Sequence, residues 1–434
     1  MDEILYLTQV LPYPLDSGAK IRAYYVLRHL TEHHRVTLVS FVRPDDRPEF
    51  IEHLASFCSA VHTVPMRRTA ARTAWALARA ALTGQSAIIL RDEIPEMQAL
   101  LRALVKQSTL DVVHADQASM AQYALYARHV AAQSRGDRRP AAILDAHNAL
   151  YLIPRRMAES EPNPLKQWGF RREARALARY EAQVYPQFDR VVFVSAEDRD
   201  AILAAMRRYP PRHLADGEGK GQNDAVARIE AAPSIPICVD PAERSLVERS
   251  QHPRTILHLG TMFWPPNIEG VLWFAREVFP RIQAQVPDAR FAIVGKNPPP
   301  SVVALSDNNP SIEVTGYVAD PTPYQQETAA FIVPLHAGGG MRVKIIDAWG
   351  WGLPIVSTSI GAEGIDVRHG ENILLGDSPE DFSDAVVRLL REPELGGSLR
   401  LNGRAWLEGH YAWQRVYQAW DEIYREATAS AELT

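Results

Sequence analysis

Two cations stand directly after a run of three glycines in the second half of the sequence. Gly338, Gly339 and Gly340 precede Arg342 and Lys344. Glycines let backbone N–H groups approach a ligand closely, and a guanidinium and an ammonium together bind phosphate oxygens. This combination predicts a phosphate or pyrophosphate site at the glycine loop.

The elements around this loop form a strand–loop–helix–strand unit. Residues 331–335 are an apolar run of strand length, a helical pattern follows the glycines, and residues 355–358 are a second strand. Because of the helix dipole, Arg342 and Lys344 are unfavourable in a first turn unless an anion binds there. Asp347 lies one turn further, where it can accept hydrogen bonds from a ribose diol. The alternative is a surface Lys344–Asp347 ion pair beside a flexible loop, which explains neither the arginine nor the glycines.

The segment GGGMRVKIIDAWGWGLPIVSTSIGAEGI resembles the donor-site block of family-4 retaining glycosyltransferases, most closely the branch associated with bacterial exopolysaccharide and exosortase systems. The resemblance implies the GT-B fold, in which two Rossmann-like doubly wound domains face each other across a cleft. It also implies that Arg342 and Lys344 hold the donor diphosphate and that Asp347 holds the ribose. The chain departs from the family at two positions. Asp347 replaces a glutamate, and Gly339 replaces another glutamate that contacts the donor sugar.

The same resemblance implies donor contacts in four further loops. Gly18 lies in the loop after the first predicted strand, where an ordinary proline-rich turn is the alternative. Gly260 ends the first strand of the second half, and Tyr317 and Val318 belong to a turn that meets the nucleotide base. Glu363 lies in a loop that closes on the donor side.

His147 directly follows a predicted strand, residues 142–146. Ligands of open α/β sheets bind beyond the carboxyl ends of strands. The resemblance implies that His147 contacts the donor sugar and helps to organise the reaction centre, and a structural histidine at a strand end is the alternative. Asn148 follows it, and His114 and Asp116 end a neighbouring strand. These three are weaker candidates for the acceptor side.

Strands and helices alternate in both halves, which predicts two α/β domains with parallel sheets. No GxGxxG follows the first strand, so a nicotinamide-dependent enzyme is disfavoured. We expect one domain at residues 1–238 and a second at residues 239–410. The resemblance implies that a C-terminal helix within residues 411–434 crosses back onto the first domain. Asp198-Arg199-Asp200 matches the DxD of metal-dependent transferases but starts a helix, and GT-B enzymes generally need no such site. We therefore predict no metal and no cofactor.

The composition is that of an ordinary globular protein, with 46% hydrophobic and 23% charged residues. With 47 Lys and Arg against 52 Asp and Glu, nucleic acid is not expected as a partner. The two cysteines, Cys58 and Cys238, lack the spacing of a disulfide scaffold or zinc site. The start has no signal-peptide pattern and no apolar run reaches membrane-span length, so we expect a cytoplasmic protein that can lie at the inner face of the membrane.

Residues 66–82 form a basic amphipathic stretch that predicts peripheral contact with an anionic membrane. Arg67, Arg68, Arg72 and Arg79 share it with Trp75, and no acid interrupts them. The alternative is a packed helix with a solvated arginine face. A second arginine-rich stretch, residues 168–182, also contains acids at 173 and 181 and is interpreted as a solvated helix face.

Together these features predict a retaining, metal-independent glycosyltransferase of the hexosyltransferase type. It would move a sugar from a nucleotide diphosphate to a hydroxyl acceptor, which a lipid carrier can supply, in exopolysaccharide or glycoconjugate assembly. Two alternatives remain open. A GT-B sugar epimerase or phosphorylase would share the fold and phosphate site, and a non-catalytic sugar-nucleotide-binding subunit would fit the departures at Gly339 and Asp347.

Overall fold

The computed structural model of the 434-residue chain describes residues 1–135, 139–211, 220–262, 264–338 and 340–432. The chain forms two compact units. The first comprises Met1–Cys238 and Trp413–Thr434, and the second comprises Val239–Ala412. The division after residue 238 is the one predicted, and the chain re-enters the first unit at residue 413 instead of 411.

Six parallel strands form the sheet of the first unit. They are β1 (Glu3–Thr8), β2 (Arg35–Val42), β3 (Ala60–Pro65), β4 (Val112–Asp116), β5 (Ala141–Ala146) and β6 (Arg190–Phe193). The helices are α1 (Gly18–His33), α2 (Pro48–Ala55), α3 (Ala70–Thr83), α4 (Ala87–Arg91), α5 (Pro95–Gln107), α6 (Ala121–Arg135), α7 (Leu152–Ser160), α8 (Pro164–Val184), α9 (Ala196–Arg208) and α10 (Lys220–Glu230). The strand order is β3-β2-β1-β4-β5-β6. The chain therefore starts in the middle of the sheet and winds outward in both directions.

The second unit repeats this architecture. Its strands are β7 (Thr255–Leu259), β8 (Arg290–Val294), β9 (Ile312–Gly316), β10 (Thr328–Val333), β11 (Ile355–Ser357) and β12 (Leu374–Leu375), in the order β12-β11-β10-β7-β8-β9. Its helices are α11 (Pro265–Trp273), α12 (Phe279–Gln285), α13 (Pro300–Asn308), α14 (Thr322–Gln326), α15 (Val343–Trp351), α16 (Pro379–Arg391) and α17 (Pro393–His410). The prediction of α/β units with doubly wound parallel sheets is confirmed.

The helical stretch from Pro265 to Gln285 is interrupted. A π-helical turn at Phe274–Val278 separates α11 from α12. Pro280 follows it directly and has no N–H with which to continue the α-helical hydrogen-bond ladder. The side chains of Phe274, Val278 and Phe279 are nevertheless fully buried. The interruption therefore leaves the apolar face of the helix in the core.

The chain returns to the first unit through α18 (Trp413–Val416) and α19 (Ala419–Glu432). Trp420 and Tyr424 are buried in that unit, and the Tyr424 hydroxyl lies 2.7 Å from Nδ1 of His114 on β4. The end of the chain thus completes the packing around the sheet that its beginning forms. In the described part of the chain, no helix combines the length and apolar content needed to cross a bilayer.

The arginines of residues 66–82 are mostly bound to a neighbouring segment, residues 91–93. Arg68 and Arg79 pair with acids of this segment at 2.8 and 3.4 Å, and Arg72 donates to two of its backbone carbonyls. Three of the four arginines therefore have partners within the chain, and contact of this stretch with a membrane stays a prediction. Arg67 has no ion pair within the described residues, and the exposed ring of Trp75 stacks with Arg79.

Candidate functional site

The connections of the second sheet reverse direction between β7 and β10, its first and fourth strands. Open α/β sheets bind ligands at such a switch point, beyond the carboxyl ends of the strands. Gly260 directly follows β7, and the glycine loop with Arg342 and Lys344 follows β10. The fold therefore brings the predicted phosphate ligands to the edge where a parallel sheet binds them.

Lys344 meets an amide oxygen at this edge, and no carboxylate among the described residues pairs with it. Its Nζ lies 3.0 Å from Oδ1 of Asn267. A Cβ added to Gly260 would lie 3.1 Å from that Nζ, so a larger residue there would require the Lys344 side chain to shift. Burial lowers the pKa of Lys344, and the charge of Arg342 lowers it further, to about 7. Burial and Arg342 thus destabilise the ammonium in this site, and an anion would stabilise it.

Arg342 immediately precedes α15 and is only 8% exposed. Its Nη1 donates to the carbonyl of Gly340 at 3.0 Å, and its Nη2 lies 3.7 Å from Oε2 of Glu363. Gly338 has a φ of 129°, and a Cβ there would come within 2.9 Å of Nη2. The structure thus brings four predicted residues together, namely Gly338, Gly340, Arg342 and Glu363. Gly339 lies outside the described residues.

Asp347 pairs with an arginine from outside the predicted motif. Its Oδ1 lies 3.0 Å from Nε of Arg244, and burial raises the pKa of Asp347 while Arg244 opposes that shift. The alternative of a surface Lys344–Asp347 ion pair is therefore wrong. Contact between Asp347 and a ribose stays a prediction. In that prediction the carboxylate accepts hydrogen bonds from both the ribose diol and Arg244.

Tyr317 and Val318 follow β9 at the same edge of the sheet. Gly316, the last residue of that strand, has a φ of 72° and turns the chain. The Tyr317 ring is 66% exposed, with Nζ of Lys296 4.7 Å from its centroid, and Val318 is half-buried. An exposed ring at this edge is available to a ligand, and contact with a base stays a prediction.

The corresponding edge of the first unit holds a buried network of charges. Arg22 of α1 is fully buried and donates to both carboxylate oxygens of Asp145, at 2.9 and 2.8 Å. Its Nη1 donates to the carbonyls of Ile235 and Pro236. Burial alone would raise the pKa of Asp145, but the Arg22 guanidinium overrides this effect and holds it well below its usual range. Such a bidentate pair fixes the geometry of both side chains.

His147 lies between two carboxylates of this network. Its Nε2 is 2.8 Å from Oδ1 of Asp116 and 3.6 Å from Oδ2 of Asp145. Burial alone would lower the pKa of His147, but the two carboxylates raise it to about 9. Burial raises the pKa of Asp116, which the charge of His147 opposes. His147 is therefore an imidazolium at neutral pH, with an Nδ1 that has no hydrogen-bond partner in the described structure.

The side chains of Asp116, Asp145 and His147 also have the composition of a metal-binding group. Their ligand atoms all lie within 4.8 Å of one another. Both oxygens of Asp145, however, already accept hydrogen bonds from Arg22. The positive charge of Arg22 beside the cluster disfavours the binding of a metal cation. The ion-pair network accounts for this arrangement, and we assign no metal to it.

Two further acids hold the loop that follows His147. Oδ1 of Asp198 accepts a hydrogen bond from the backbone N–H of Ala149 at 2.9 Å. The fully buried Glu181 accepts from the N–H groups of the next two residues at 2.8 and 3.0 Å. Asp198, the first residue of the DxD sequence, therefore has a structural role. The half-buried Asn148 lies at the start of this fixed loop.

His114 differs from the other predicted residues because it belongs to the core. Its side chain is fully buried, stacks on Tyr6 at 4.4 Å and meets the hydroxyl of Tyr424. Burial lowers its pKa to about 3. Its predicted contact with an acceptor is therefore wrong, because it has no surface to offer. Gly18, in contrast, begins α1 beside the switch point of the first sheet, between β1 and β4.

The predictions missed five polar residues of these two clusters. They are Arg22, Asp145, Arg244, His258 and Asn267. Burial lowers the pKa of His258, and Lys344 lowers it further, so that the ring is neutral. One local signal was available, since Arg22 is a charged residue within the otherwise apolar run Ile21–Leu27 of α1.

Comparison with known proteins finds a family model that matches part of the second unit. Residues 253–392 match the model of the glycosyl transferases group 1. A protein of the cps region of Klebsiella pneumoniae is 25% identical over 188 residues, which are 40% of this chain and 46% of that protein. The 2-deoxystreptamine N-acetyl-D-glucosaminyltransferase of Niallia circulans is 24% identical over 188 residues, 41% of this chain and 46% of the enzyme. The chain thus spans about half the length of these curated relatives.

Solved structures resemble the chain over nearly its whole length. HepE of Anabaena, solved with UDP and glucose, has a TM-score of 0.62 at 14% identity, covering 98% of this chain and 99% of HepE. The sucrose-phosphate synthase of Thermosynechococcus elongatus has a TM-score of 0.64 at 15% identity, covering 99% and 100%. The two parallel six-stranded sheets are those of the GT-B fold, so the predicted fold class is confirmed.

Proposed function

We propose that this chain, a GT-B protein whose second unit matches the glycosyl transferases group 1, is a retaining glycosyltransferase of the hexosyltransferase type. It transfers a sugar from a nucleotide diphosphate to a hydroxyl of the acceptor. The observation that carries the proposal is a buried arginine beside a half-buried lysine at the switch point of the second sheet. They are Arg342 and Lys344, and burial together with the charge of Arg342 lowers the pKa of Lys344 to about 7.

The donor diphosphate supplies the negative charge that these cations need. Arg342 provides a planar fork of hydrogen-bond donors, and Lys344 provides a point charge. The glycine loop, residues 338–340, provides backbone N–H groups. During transfer, charge develops on the leaving diphosphate, and donors fixed in advance stabilise it more than water does. Asp347 accepts hydrogen bonds from the ribose, with Arg244 holding the carboxylate in place.

Transfer with retention needs no basic side chain in this proposal. The bond between the sugar C1 and the diphosphate oxygen breaks, and the acceptor oxygen bonds to C1 on the same face. The acceptor proton passes to the leaving phosphate oxygen, which is a sufficient base. His147 keeps the role that the family resemblance implies, contact with the donor sugar. Its Nδ1, which is buried without a hydrogen-bond partner in the described structure, suits such a contact.

We propose a uridine diphosphate sugar as the donor, because HepE was solved with UDP and with UDP-glucose. Calorimetric titration of the purified chain with UDP, UDP-glucose and ADP-glucose tests this choice. UDP and UDP-glucose should bind to wild type and lose at least tenfold in affinity in Lys344→Ala. Equal affinity of wild type and variant for UDP would remove the phosphate site from the proposal.

Product analysis separates transfer from its alternatives. With a panel of hydroxyl acceptors, NMR should show a new glycosidic bond with the anomeric configuration of the donor. An epimerase would release sugar from the donor without an acceptor, and a phosphorylase would require inorganic phosphate. A non-catalytic subunit would bind the intact donor and leave it unchanged across the panel.

The acceptor and the place of action are also part of the proposal. The relative in the cps region suits a role in polysaccharide assembly, with a lipid-linked or saccharide hydroxyl as acceptor. Peripheral contact of residues 66–82 with an anionic membrane is retained in a reduced form. Arg67 and the exposed side chains of Trp75 and Leu82 now carry it, because the other three arginines are bound elsewhere.

A further inference from the structure

Exposed apolar side chains of the first unit are concentrated on two helices, α3 and α8. Trp75, Leu77 and Leu82 of α3 and Leu165 and Trp168 of α8 are each at least 47% exposed. Only nine large apolar side chains are this exposed among the described residues, and these two helices carry five of them. Scattered single residues need no explanation, but a concentration of this kind marks a binding surface.

An open apolar groove lies between α3, α4, α7 and α8. Its volume is about 520 Å³, which is within the range of small-molecule pockets. Leu77, Ile88, Ile153, Met157 and Trp168 are among the residues that line it. A groove with these walls fits a hydrocarbon chain.

A second groove of about 400 Å³ shares Trp168 and Arg172 with the first and is lined by arginines of α8. Arg171, Arg175 and Arg179 recur every fourth residue on the exposed face of this helix. Like charges at this spacing destabilise a helix. Within the described residues, neither Arg171 nor Arg175 forms an ion pair or a side-chain hydrogen bond, so both guanidinium groups are available to an anion.

The acids of α8 do not balance this arginine row. The carboxylate of Glu173 accepts hydrogen bonds from Oγ of Ser86 and from the backbone N–H groups of Ala87 and Ile88, at the start of α4. Glu181 is fully buried and binds the loop after His147. Both acids therefore lie on the inner side of the helix. The exposed side of this helix is the solvated face that the sequence indicates, but its arginines have no acid of the same helix beside them on that side.

We propose that the two grooves form one binding site for a single anionic lipid. Its hydrocarbon chain lies in the apolar groove against Leu77 and Met157, and its phosphate group binds Arg171 and Arg175. The continuity of the two grooves at Trp168 requires a ligand with both parts. A simple phosphate would leave the apolar groove exposed, and a neutral detergent would leave the arginines without an anion.

Calorimetric titration of the full chain with dodecyl phosphate, below its critical micelle concentration, tests the headgroup half of the site. Dodecyl phosphate should bind saturably to wild type and at least tenfold more tightly than dodecyl maltoside or inorganic phosphate. Arg171→Gln/Arg175→Gln should weaken its binding at least tenfold. The matched control, Arg207→Gln/Arg208→Gln, removes two exposed charges from α9 and should bind like wild type.

A pair of leucines on one helix tests the chain half. Leu77 lines the groove, and Leu82 is 89% exposed on the same helix without lining it. Leu77→Asp should abolish binding of dodecyl phosphate, and Leu82→Asp should leave it unchanged, with circular dichroism confirming the fold of both. If dodecyl maltoside binds as tightly as dodecyl phosphate, or if the two leucine variants behave alike, the proposal is wrong and only detergent adsorption remains.

Discussion

The charged clusters of the two units lie at equivalent edges of similar sheets, yet they are balanced differently. In the first unit, Arg22, Asp145, His147 and Asp116 form a network in which each charge meets an opposite one within 4 Å. In the second unit, Arg342 meets Glu363 at 3.7 Å, whereas Lys344 contacts only the amide of Asn267 among the described residues and lies beside the charge of Arg342. Internal pairing fixes side chains, whereas an excess of one charge prepares a site for a ligand that supplies the other.

Removal of Asp145 should therefore have the largest effect on stability. Asp145→Asn leaves the charge of the fully buried Arg22 without its counter-ion, and breaking a buried pair costs about 3–5 kcal/mol. Urea unfolding of the variant measures the loss. The control is Glu426→Gln, which breaks the exposed pair with Arg190 and should cost at most about 1 kcal/mol. Equal losses in both variants would show that the network is not rigidly buried.

Substitutions at the phosphate site of the second unit should have the opposite effect, because they should lower activity far more than stability. Arg342→Ala and Lys344→Ala should each lose about 2–4 kcal/mol of transition-state stabilisation, the cost of one fixed donor. Their unfolding free energy should fall by at most about 1 kcal/mol, because the relief of repulsion at the helix start offsets the lost contacts with Glu363 and Asn267. Steady-state transfer rates and urea unfolding measure the two quantities. Wild-type turnover in both variants would mean that the donor binds elsewhere.

The partners that the predictions missed show where inference from sequence ends. The alternation of apolar runs with helical patterns predicts both sheets, and the glycine loop predicts the phosphate site from residues that are neighbours in the chain. Asn267 lies 77 residues from Lys344, Arg244 lies 103 residues from Asp347, and Arg22 lies 123 residues from Asp145. Polar contacts over such separations depend on strand order and on how deeply each side chain is buried. Neither property follows from a local pattern.

The pKa of Lys344 provides a pH test of the uncompensated charge. Unfolded lysine has a pKa of about 10.4, so between about pH 7 and 10 the unfolded chain binds the additional proton. Stability should consequently rise with pH in this interval, by at most about 1.4 kcal/mol per unit from this group. Binding of UDP at pH 8.5 should restore the ammonium form of Lys344, so that the protein takes up a proton when UDP binds. Calorimetry in buffers with different ionisation enthalpies measures this uptake, and Lys344→Met should abolish it.

The smallest effects are expected at the surface arginines of residues 66–82, where the same contrast applies. Arg68, Arg72 and Arg79 already have partners in segment 91–93, so their joint replacement by Gln should change co-sedimentation with anionic liposomes less than twofold. Arg67 has no such partner, and near an anionic surface one free cation contributes about 1 kcal/mol. Arg67→Gln should therefore weaken liposome binding about fivefold at low salt, and high salt should abolish the difference because it screens exposed charges. A larger loss in the triple variant than in Arg67→Gln would mean that the paired arginines leave segment 91–93 at the membrane.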